Sequence, residues 1–470
     1  MSAGPLLPPP DRVLSTLDHD GSRRWIKPKL SKGRLLTARR VVAYLLIALY
    51  TMLPLVHVGG KPFVLLDIPA RRFTIFGYTF LPTDTLLLAL AVVAILLGVF
   101  FLTAQFGRVW CGWACPQTVY MEFVFRPIER LFDGTAGRGG TPRKPPSLAM
   151  TLLRFAVYGG IAFVLANTFL AYFIGVDTLL EWMRQSPLQH PFPFLVMAGL
   201  TAAMLVNFGY FREQMCILAC PYGRLQSVLL DKDSIVVSYD KLRGDPRGKA
   251  SKAKANAAPP LGDCVDCGLC VKTCPTGIDI REGLQMECIN CAQCIDACND
   301  VMQRLGRRRD LIRYSSQNAD AGERRRLLRP RVVIYPLVIS LLVALFVVTL
   351  FGKQSFDAVI LRNAGQPFTL TDTGEVRNVV RLKTRSRTDA PLALRVSVLE
   401  PAGAQLRGAE DGLVLAAEAS ETFPLTVLAD PALFVTGQVP LVLRVEGDDG
   451  SAQELRVSLL GPMPRPTESK

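Results

Sequence analysis

The twelve cysteines of the chain fall into two groups, and both have spacings typical of metal chemistry. Eight lie between Cys264 and Cys298 as two consecutive runs of Cys-x2-Cys-x2-Cys-x3-Cys. Each run has the spacing of a bacterial ferredoxin, in which three close thiolates bind one [4Fe-4S] cluster and the fourth binds the other cluster. The expected ligand sets are Cys264, Cys267, Cys270 with Cys298, and Cys288, Cys291, Cys294 with Cys274.

Zinc is the alternative metal for these eight thiols, because zinc sites also use Cys-x2-Cys pairs. Zinc rarely needs two consecutive runs of four, so the sequence favours two [4Fe-4S] clusters as cofactors. Asn299 stands where the second run would usually have proline. This leaves the ligands intact and predicts an altered turn after Cys298.

The other four cysteines form a repeated Cys-x2-Ala-Cys-Pro pattern, with members Cys111, Cys115, Cys216 and Cys220. Proline disfavours helical backbone in the residue before it and suits the first helical position. Cys115 and Cys220 are therefore predicted to cap helix N-termini, where the helix dipole favours the thiolate. We take all four as candidate catalytic and metal-binding residues. Copper, an additional iron–sulfur cluster and a dithiol/disulfide pair all fit soft thiolates, and the spacing leaves the three open.

Five apolar segments of the chain each have about the 20 residues that are needed to cross the hydrocarbon core of a bilayer. They cover about 41–58, 84–104, 151–174, 192–211 and 332–352. A polar leader of 40 residues precedes the first segment, and no small-residue cleavage site follows this segment. The first segment is therefore predicted to remain in the mature protein as a membrane anchor. A purely soluble or disordered protein is excluded.

The basic residues indicate orientation. The chain has 54 Lys and Arg against 40 Asp and Glu, but after residue 352 the counts are 13 and 15. The leader and the 105–150 and 212–331 connections are basic, whereas the 59–83 and 175–191 connections hold four basic residues together. The N-terminus is therefore predicted to be cytoplasmic and the C-terminus to lie outside. The basic linker at 244–260 lacks the aromatics of a nucleic-acid site, so no nucleic-acid partner is expected.

The C-terminal part alternates apolar and polar residues over residues 355–462. Its short runs are Val376–Thr384, Pro391–Leu399, Phe423–Leu428, Val439–Val445 and Leu455–Leu460, separated by Gly, Asp and Pro. This pattern predicts an antiparallel sandwich of about a hundred residues. It has neither Cys nor His, which favours an interaction or assembly domain over a catalytic one.

Together these features resemble the FixG/CcoG/RdxA family, cytochrome c oxidase accessory proteins of bacterial inner membranes. The resemblance rests on the five segments, the paired Cys-x3-Cys-Pro motifs, the two-cluster insert, the sandwich, and the runs His57–Phe63 and Leu66–Phe73. The fold expected is a polytopic α-helical membrane protein with five transmembrane helices, an inserted 2[4Fe-4S] ferredoxin-like domain and a C-terminal all-β immunoglobulin-like sandwich. Its predicted parts are a basic leader (1–40), a four-helix domain (41–211, with its second cysteine loop at 214–221), a cytoplasmic region (212–330, with the ferredoxin at about 260–302), a fifth helix (331–352) and a periplasmic domain (353–470).

The resemblance implies an oxidoreductase that reduces Cu(II) to Cu(I) for assembly of the cbb(3)-type oxidase, with the copper near the Cys-x3-Cys-Pro loops. The partners that it implies are assembly factors of that oxidase, or a copper transporter or chaperone. The cytoplasmic electron donor is unknown, and the resemblance leaves open whether the protein is a homodimer. Two other functions compete with it. One is a quinol-linked subunit like those of periplasmic nitrate reductase systems, and the other is an assembly scaffold without redox activity.

The charge pattern yields a test of topology. An alkaline phosphatase fusion after Lys470 should be active, because the enzyme folds outside the cytoplasm, and a fusion at Pro259 should be silent. Alkaline phosphatase activity of intact cells measures both. The reverse pattern would put the ferredoxin cysteines outside and contradict the predicted orientation.

Overall fold

The computed structural model describes residues 14–18, 20–69, 72–76, 78–80, 84–248, 261–324, 328–352, 354–362, 365–388, 390–410, 412–417 and 419–462. The first thirteen residues of the predicted leader and most of the basic linker lie outside these ranges. The chain divides into two compact units, Met1–Phe346 and Val347–Lys470. All the cysteines belong to the first unit.

Five long helices carry the apolar segments. They are α1 (Arg34–Met52), α2 (Thr85–Phe106), α3 (Leu148–Ile174), α4 (Pro191–Val206) and α5 (Pro330–Phe351). A 3-10 turn at Leu53–Leu55 extends α1, and a π-helical turn at Asn207–Phe211 extends α4. Among the described residues, these five are long and apolar enough to cross a membrane, in agreement with the five predicted segments.

The first helix begins seven residues before the predicted apolar segment, at Arg34 instead of Val41. Two contacts allow this. The Asp296 carboxylate accepts the N–H groups of Leu35 and Leu36 at 3.3 and 2.7 Å, where a negative charge stabilises a helix N-terminus. The fully buried Arg39 donates from Nε to the Gly112 carbonyl oxygen at 2.9 Å. Charge in the sequence therefore marked the start of the apolar segment and not the start of the helix.

The connections after α1 and α3 are small folded segments. After α1, His57–Val58 pairs with Lys61–Pro62, and a three-stranded antiparallel sheet has the order Val64–Asp67, Arg72–Ile75, Tyr78–Phe80. After α3, the helix Val176–Arg184 leads to α4.

The two cysteine repeats fold alike. After α2 come the helices Val109–Trp113 and Pro116–Tyr120, a π-helical turn and a further helix, the last two at Met121–Phe125 and Arg126–Phe132. After α4 come the π-helical turn Met215–Ala219 and the helix Pro221–Leu229. In each repeat the first cysteine lies in a short helical turn and the second precedes the next helix.

The ferredoxin insert is built on short elements around the eight cysteines. Its helices are Lys241–Gly244, Leu269–Lys272, Ile280–Glu282 (3-10), Gln293–Arg304 and Gln317–Asp320, and Val236–Tyr239 pairs antiparallel with Ile312–Ser315. The Gln293–Arg304 helix continues past Cys298 without a break. Asn299, which lacks the ring of proline, stays helical; its side chain donates to the Asp310 carboxylate at 3.1 Å and accepts from the Asp310 backbone N–H at 2.8 Å.

The second unit is the sandwich that the alternating pattern predicts. One antiparallel sheet has the order Gln405–Arg407, Ser420–Ala429, Val376–Ser386, Phe356–Arg362, with Thr369–Leu370 paired to Val376–Ser386. The other has the order Leu413–Leu415, Leu392–Glu400, Gln438–Gly447, Ala452–Leu460. The core forms from alternate residues, with Leu382, Leu425 and Leu441 fully buried. The predicted runs all lie within these strands apart from Pro391, which directly precedes one.

The ferredoxin insert packs against the first cysteine repeat through a close backbone contact. A Cβ atom added to Gly112 would lie 2.3 Å from the Ile289 carbonyl oxygen and 2.9 Å from the Cys291 nitrogen. Both neighbours are backbone, so they cannot rotate away. Only glycine lets the two segments approach this closely.

We expect Gly112→Ala to lower the thermal unfolding midpoint by several degrees, because overpacking costs about 1–3 kcal/mol. Gly98→Ala in α2 is the matched control, since a Cβ there meets no atom within 4 Å. Its midpoint should stay the same or rise slightly. Equal midpoints for the two variants, measured by calorimetry in detergent, would show that the contact is loose.

Candidate iron–sulfur and four-thiol sites

The first cluster site is the cavity bordered by Cys264, Cys267, Cys270 and Cys298. It measures about 360 Å³, and its other lining residues include Tyr239, Leu311 and Ile312. Cys267 is exposed, whereas Cys264 and Cys270 are buried. The fold thus brings the fourth cysteine of the second run to the first three cysteines of the first run, as the ferredoxin spacing predicts.

The second cluster site is the cavity bordered by Cys274, Cys288, Cys291 and Cys294. It measures about 340 Å³ and is walled by apolar side chains such as Val237, Ile278 and Ile280. Cys270 also borders this cavity, so the two sites are neighbours.

One strand shows how the two cluster sites are ordered along the insert. Ile235 donates its N–H to the Gln105 carbonyl oxygen at 3.0 Å, which ties the start of the Val236–Tyr239 strand to the end of α2. Val237 borders the second cluster site and Tyr239 borders the first. The second cluster site is therefore closer to the end of α2, and the first is farther along the strand.

The eight thiols suit a cluster better than a single ion. Each of the two cysteine sets surrounds its own cavity, as the iron and sulfide of a cluster require. Burial raises the pKa of Cys270, Cys288 and Cys298 to about 12 and that of Cys291 to about 11. These thiols bind a cation only by releasing protons, so loading the sites is coupled to pH. Bound [4Fe-4S] clusters supply one-electron chemistry.

The four-thiol site consists of Cys111, Cys115, Cys216 and Cys220. Cys115 and Cys220 are the N-caps of the Pro116–Tyr120 and Pro221–Leu229 helices, with extended backbone (φ −60°, ψ 126° and φ −73°, ψ 110°) and proline at the first helical position. The capping prediction is confirmed. Two segments about a hundred residues apart thus place their second cysteine in the same local geometry.

These four thiols are close enough to influence one another's ionisation. Burial, together with repulsion from the nearby Cys115, Cys111 and Cys220, raises the pKa of Cys216 to about 12. Burial also raises the pKa of Cys111 and Cys115. At Cys115 the N–H groups of Thr118 and Gln117 act in the opposite direction, but burial outweighs them. The predicted lowering of the pKa by helix N-termini is therefore present at Cys115 and smaller than the effect of burial.

The four-thiol site touches the second cluster site. Cys111, Ile289 and Cys291 pack into one buried cluster, with Tyr222 against it. Because Cys291 borders the second cluster site, the two sites share a wall of adjoining residues. Cysteines from the helical repeats and from the ferredoxin insert thus belong to one buried cluster.

Several polar residues that complete the four-thiol site were not predicted. The Cys111 sulfur lies 2.9 Å from Gln226 Oε1, and Gln226 donates in turn to Thr103 Oγ1 at 3.0 Å. Gln117 and Asn207 exchange amide hydrogen bonds at 3.1 and 2.7 Å, which tie the first repeat to the end of α4. Gln117 directly follows the Cys115-Pro116 pair, which was a sequence signal for it, whereas Gln226 lies in the Pro221–Leu229 helix without such a signal.

Three family models match parts of the chain. A 4Fe-4S dicluster domain matches residues 211–317, a 4Fe-4S binding domain matches residues 88–134, and the IG-like fold at the C-terminal of FixG matches residues 346–462. The matches include the ferredoxin insert, the first cysteine repeat and the sandwich. Fold and sites together define an iron–sulfur electron-transfer protein.

Relatives of known name cover nearly the whole chain. Protein RdxA of Cereibacter sphaeroides is 33% identical over 459 residues, which is 93% of each chain. Nitrogen fixation protein FixG of Rhizobium meliloti is 30% identical over 455 residues, 86% of each chain, and RdxB of Cereibacter sphaeroides is 31% identical over 441 residues, 90% of this chain and 89% of RdxB. The chain belongs to the FixG/RdxA family.

Anaerobically purified protein should contain about eight iron and about eight labile sulfide per chain, as two [4Fe-4S] clusters require. Cys270→Ser should remove mainly one cluster signal in electron paramagnetic resonance. Zinc, or about four iron, would contradict the ligand sets. A content of about twelve iron atoms per chain would indicate a third cluster at the four-thiol site. The Cys115→Ser variant would then lose the iron beyond the eight atoms of the two ferredoxin clusters.

Proposed function

We propose that this chain carries electrons from a cytoplasmic donor to Cu(II) at the four-thiol site and releases Cu(I) for assembly of a cbb(3)-type cytochrome oxidase. Each Cu(II) takes up one electron and becomes Cu(I), and the donor loses one electron. The chain would act as a cupric reductase in the bacterial inner membrane, with the ferredoxin insert in the cytoplasm and the sandwich in the periplasm. Assembly factors of the oxidase, or a copper transporter or chaperone, would receive the copper.

The observation that carries this proposal is the packing of Cys111 against Ile289 and Cys291. Electrons stored in the insert need no further carrier to reach a metal ion bound beside Cys111. The eight ferredoxin thiols have their own cavities, which leaves the four-thiol site as the remaining set of soft ligands among the cysteines. Thiolates favour Cu(I) over Cu(II), and so raise the potential of bound copper.

Partial exposure of the four-thiol site would also let a copper ion enter and leave as a substrate. Cys115, Cys216 and Cys220 are half-buried, whereas Cys111, at the contact with the insert, is buried. A copper ion can therefore approach from three of the thiols, while the fourth faces the electron source.

A second candidate is a third iron–sulfur cluster at the four-thiol site. The match of residues 88–134 to a 4Fe-4S binding domain favours it, because that range includes Cys111 and Cys115. The chain would then relay electrons onward to another acceptor, such as the quinone pool of a quinol-linked system. Iron content distinguishes this candidate from copper.

The copper proposal is tested with protein that is prereduced, freed of reductant and mixed with Cu(II). Wild-type protein should form up to about two Cu(I) per chain, one for each cluster electron, detected with a Cu(I)-specific chelator. The double variant Cys115→Ser with Cys220→Ser should form almost none and bind copper more weakly, while its iron content stays the same.

Cys267→Ser is the matched control for this assay. It should lose the first cluster and the electron stored there, yet keep the copper affinity of the wild type, because Cys267 is not part of the four-thiol site. Copper reduction by the double variant at the wild-type rate would refute the proposed site. Reduction of the clusters by a quinol would favour the quinol-linked alternative.

A further inference from the structure

Arg108 is a buried cation with no acidic partner among the residues that the structure describes. The residue is 5% exposed, its side chain donates to the Met286 carbonyl oxygen, and its Nε meets no hydrogen-bond partner in those residues. Within the described part of the chain, no carboxylate lies within ion-pair distance of it. A buried charge without a partner costs several kcal/mol, so something else must offset it.

The position of Arg108 points to its counter-charge. Its side chain borders a cavity together with Cys288 of the second cluster site. It also lies beside the four-thiol site, where its charge and a hydrogen bond act to lower the pKa of Cys111. The same charge reaches Cys115 and Cys216. One guanidinium therefore faces thiols of both sites.

Gly223 makes room for this placement. A Cβ atom added to Gly223 would lie 2.7 Å from Arg108 Nη2 and 3.0 Å from the Cys216 carbonyl oxygen. The guanidinium thus passes across the first turn of the Pro221–Leu229 helix, next to the second cysteine repeat. Glycine is the residue that allows it to do so.

Neutral thiols or a disulfide would leave this cation uncompensated. Thiolates around a metal centre would compensate it, because the negative charge of four thiolates exceeds the positive charge of a copper ion or of a [4Fe-4S] core and leaves the site negative. The burial of Arg108 therefore favours copper or an additional cluster, the two metal chemistries that the cysteine spacing left open, over a dithiol/disulfide pair.

We propose that Arg108 is the shared counter-cation of the second cluster site and the four-thiol site, and that the loaded four-thiol site consists of thiolates around a metal cation instead of a dithiol/disulfide pair. The identity of that cation as copper rests on the proposed function. Arg108 is a positioning residue: its charge stabilises the more negative, reduced state of each site. It also weakens the repulsion between two neighbouring anionic centres.

Arg39 supplies a comparison. It is fully buried, it also lacks a carboxylate partner among the residues described, and its charge lowers the pKa of Cys291. Its Nε donates to the Gly112 carbonyl oxygen. The charge of Arg39 thus reaches the second cluster site, and its contact with the first cysteine repeat is to a backbone carbonyl and not to a thiol, whereas the charge of Arg108 reaches thiols of both sites.

The test uses the full-length protein in detergent with three variants, Arg108→Gln, Arg108→Lys and Arg39→Gln. Potentials are read by redox titration monitored by electron paramagnetic resonance, and Cu(I) affinity by competition with a chelator. Arg108→Gln should shift the second cluster to a more negative potential and weaken Cu(I) binding by about 10–100-fold. Arg108→Lys should recover most of both effects. Arg39→Gln should shift the potential and leave the Cu(I) affinity unchanged.

Each outcome decides the inference. An unchanged potential in Arg108→Gln, or a shifted potential with unchanged Cu(I) affinity, would overturn the shared role. Mass spectrometry after alkylation should find no disulfide among the four thiols of anaerobic wild-type protein, and finding one would overturn the thiolate assignment. The potential of the second cluster does not depend on copper, so it tests the role of Arg108 independently. If wild-type protein binds no Cu(I), that result refutes the proposed function and not the effect of Arg108 on the cluster.

Discussion

The contact between the backbone at Gly112 and the segment Ile289–Cys291 is the constraint on which the rest of the site depends. It joins a loop between two apolar helices to a ferredoxin insert that follows almost two hundred residues later. A glycine at the contact lets two main chains touch, and Arg39 bonds the same carbonyl from α1. Because the neighbours are backbone, the distance between the four-thiol site and the second cluster site is set by atoms that cannot change rotamer.

Buried thiols and buried positive charge occur together around the cysteine sites. The ferredoxin cysteines and the four-thiol site lie where burial keeps thiols protonated until a cation displaces the protons. Two arginines without acidic partners among the described residues, Arg39 and Arg108, face these thiols. An apo site of this kind is electrostatically incomplete, since it holds positive charge and neutral sulfur. Metal loading and folding of this region are therefore coupled.

The two cluster sites differ in their surroundings within the ferredoxin insert. The insert has two adjoining cavities, one bordered by an exposed cysteine and the other in contact with the helical repeats. The first cavity is thus the more accessible of the two. The sandwich is a separate compact unit with its own apolar core and adds no thiol to the sites.

The sequence alone determined the elements and the chemistry of the cysteines. The length of the apolar segments predicted five helices, and the alternation of apolar and polar residues predicted a sandwich. The ferredoxin spacing predicted which four cysteines meet in each cavity, because in that pattern the fourth cysteine of each run binds the cluster of the other run. Proline after Cys115 and Cys220 predicted both helix caps. Only the tertiary structure decided what lies between these elements. The start of α1 at Arg34, the contact at Gly112, the amides of Gln117 and Gln226 and the placement of Arg108 all depend on residues far apart in the chain, whose contacts follow from packing and not from local spacing.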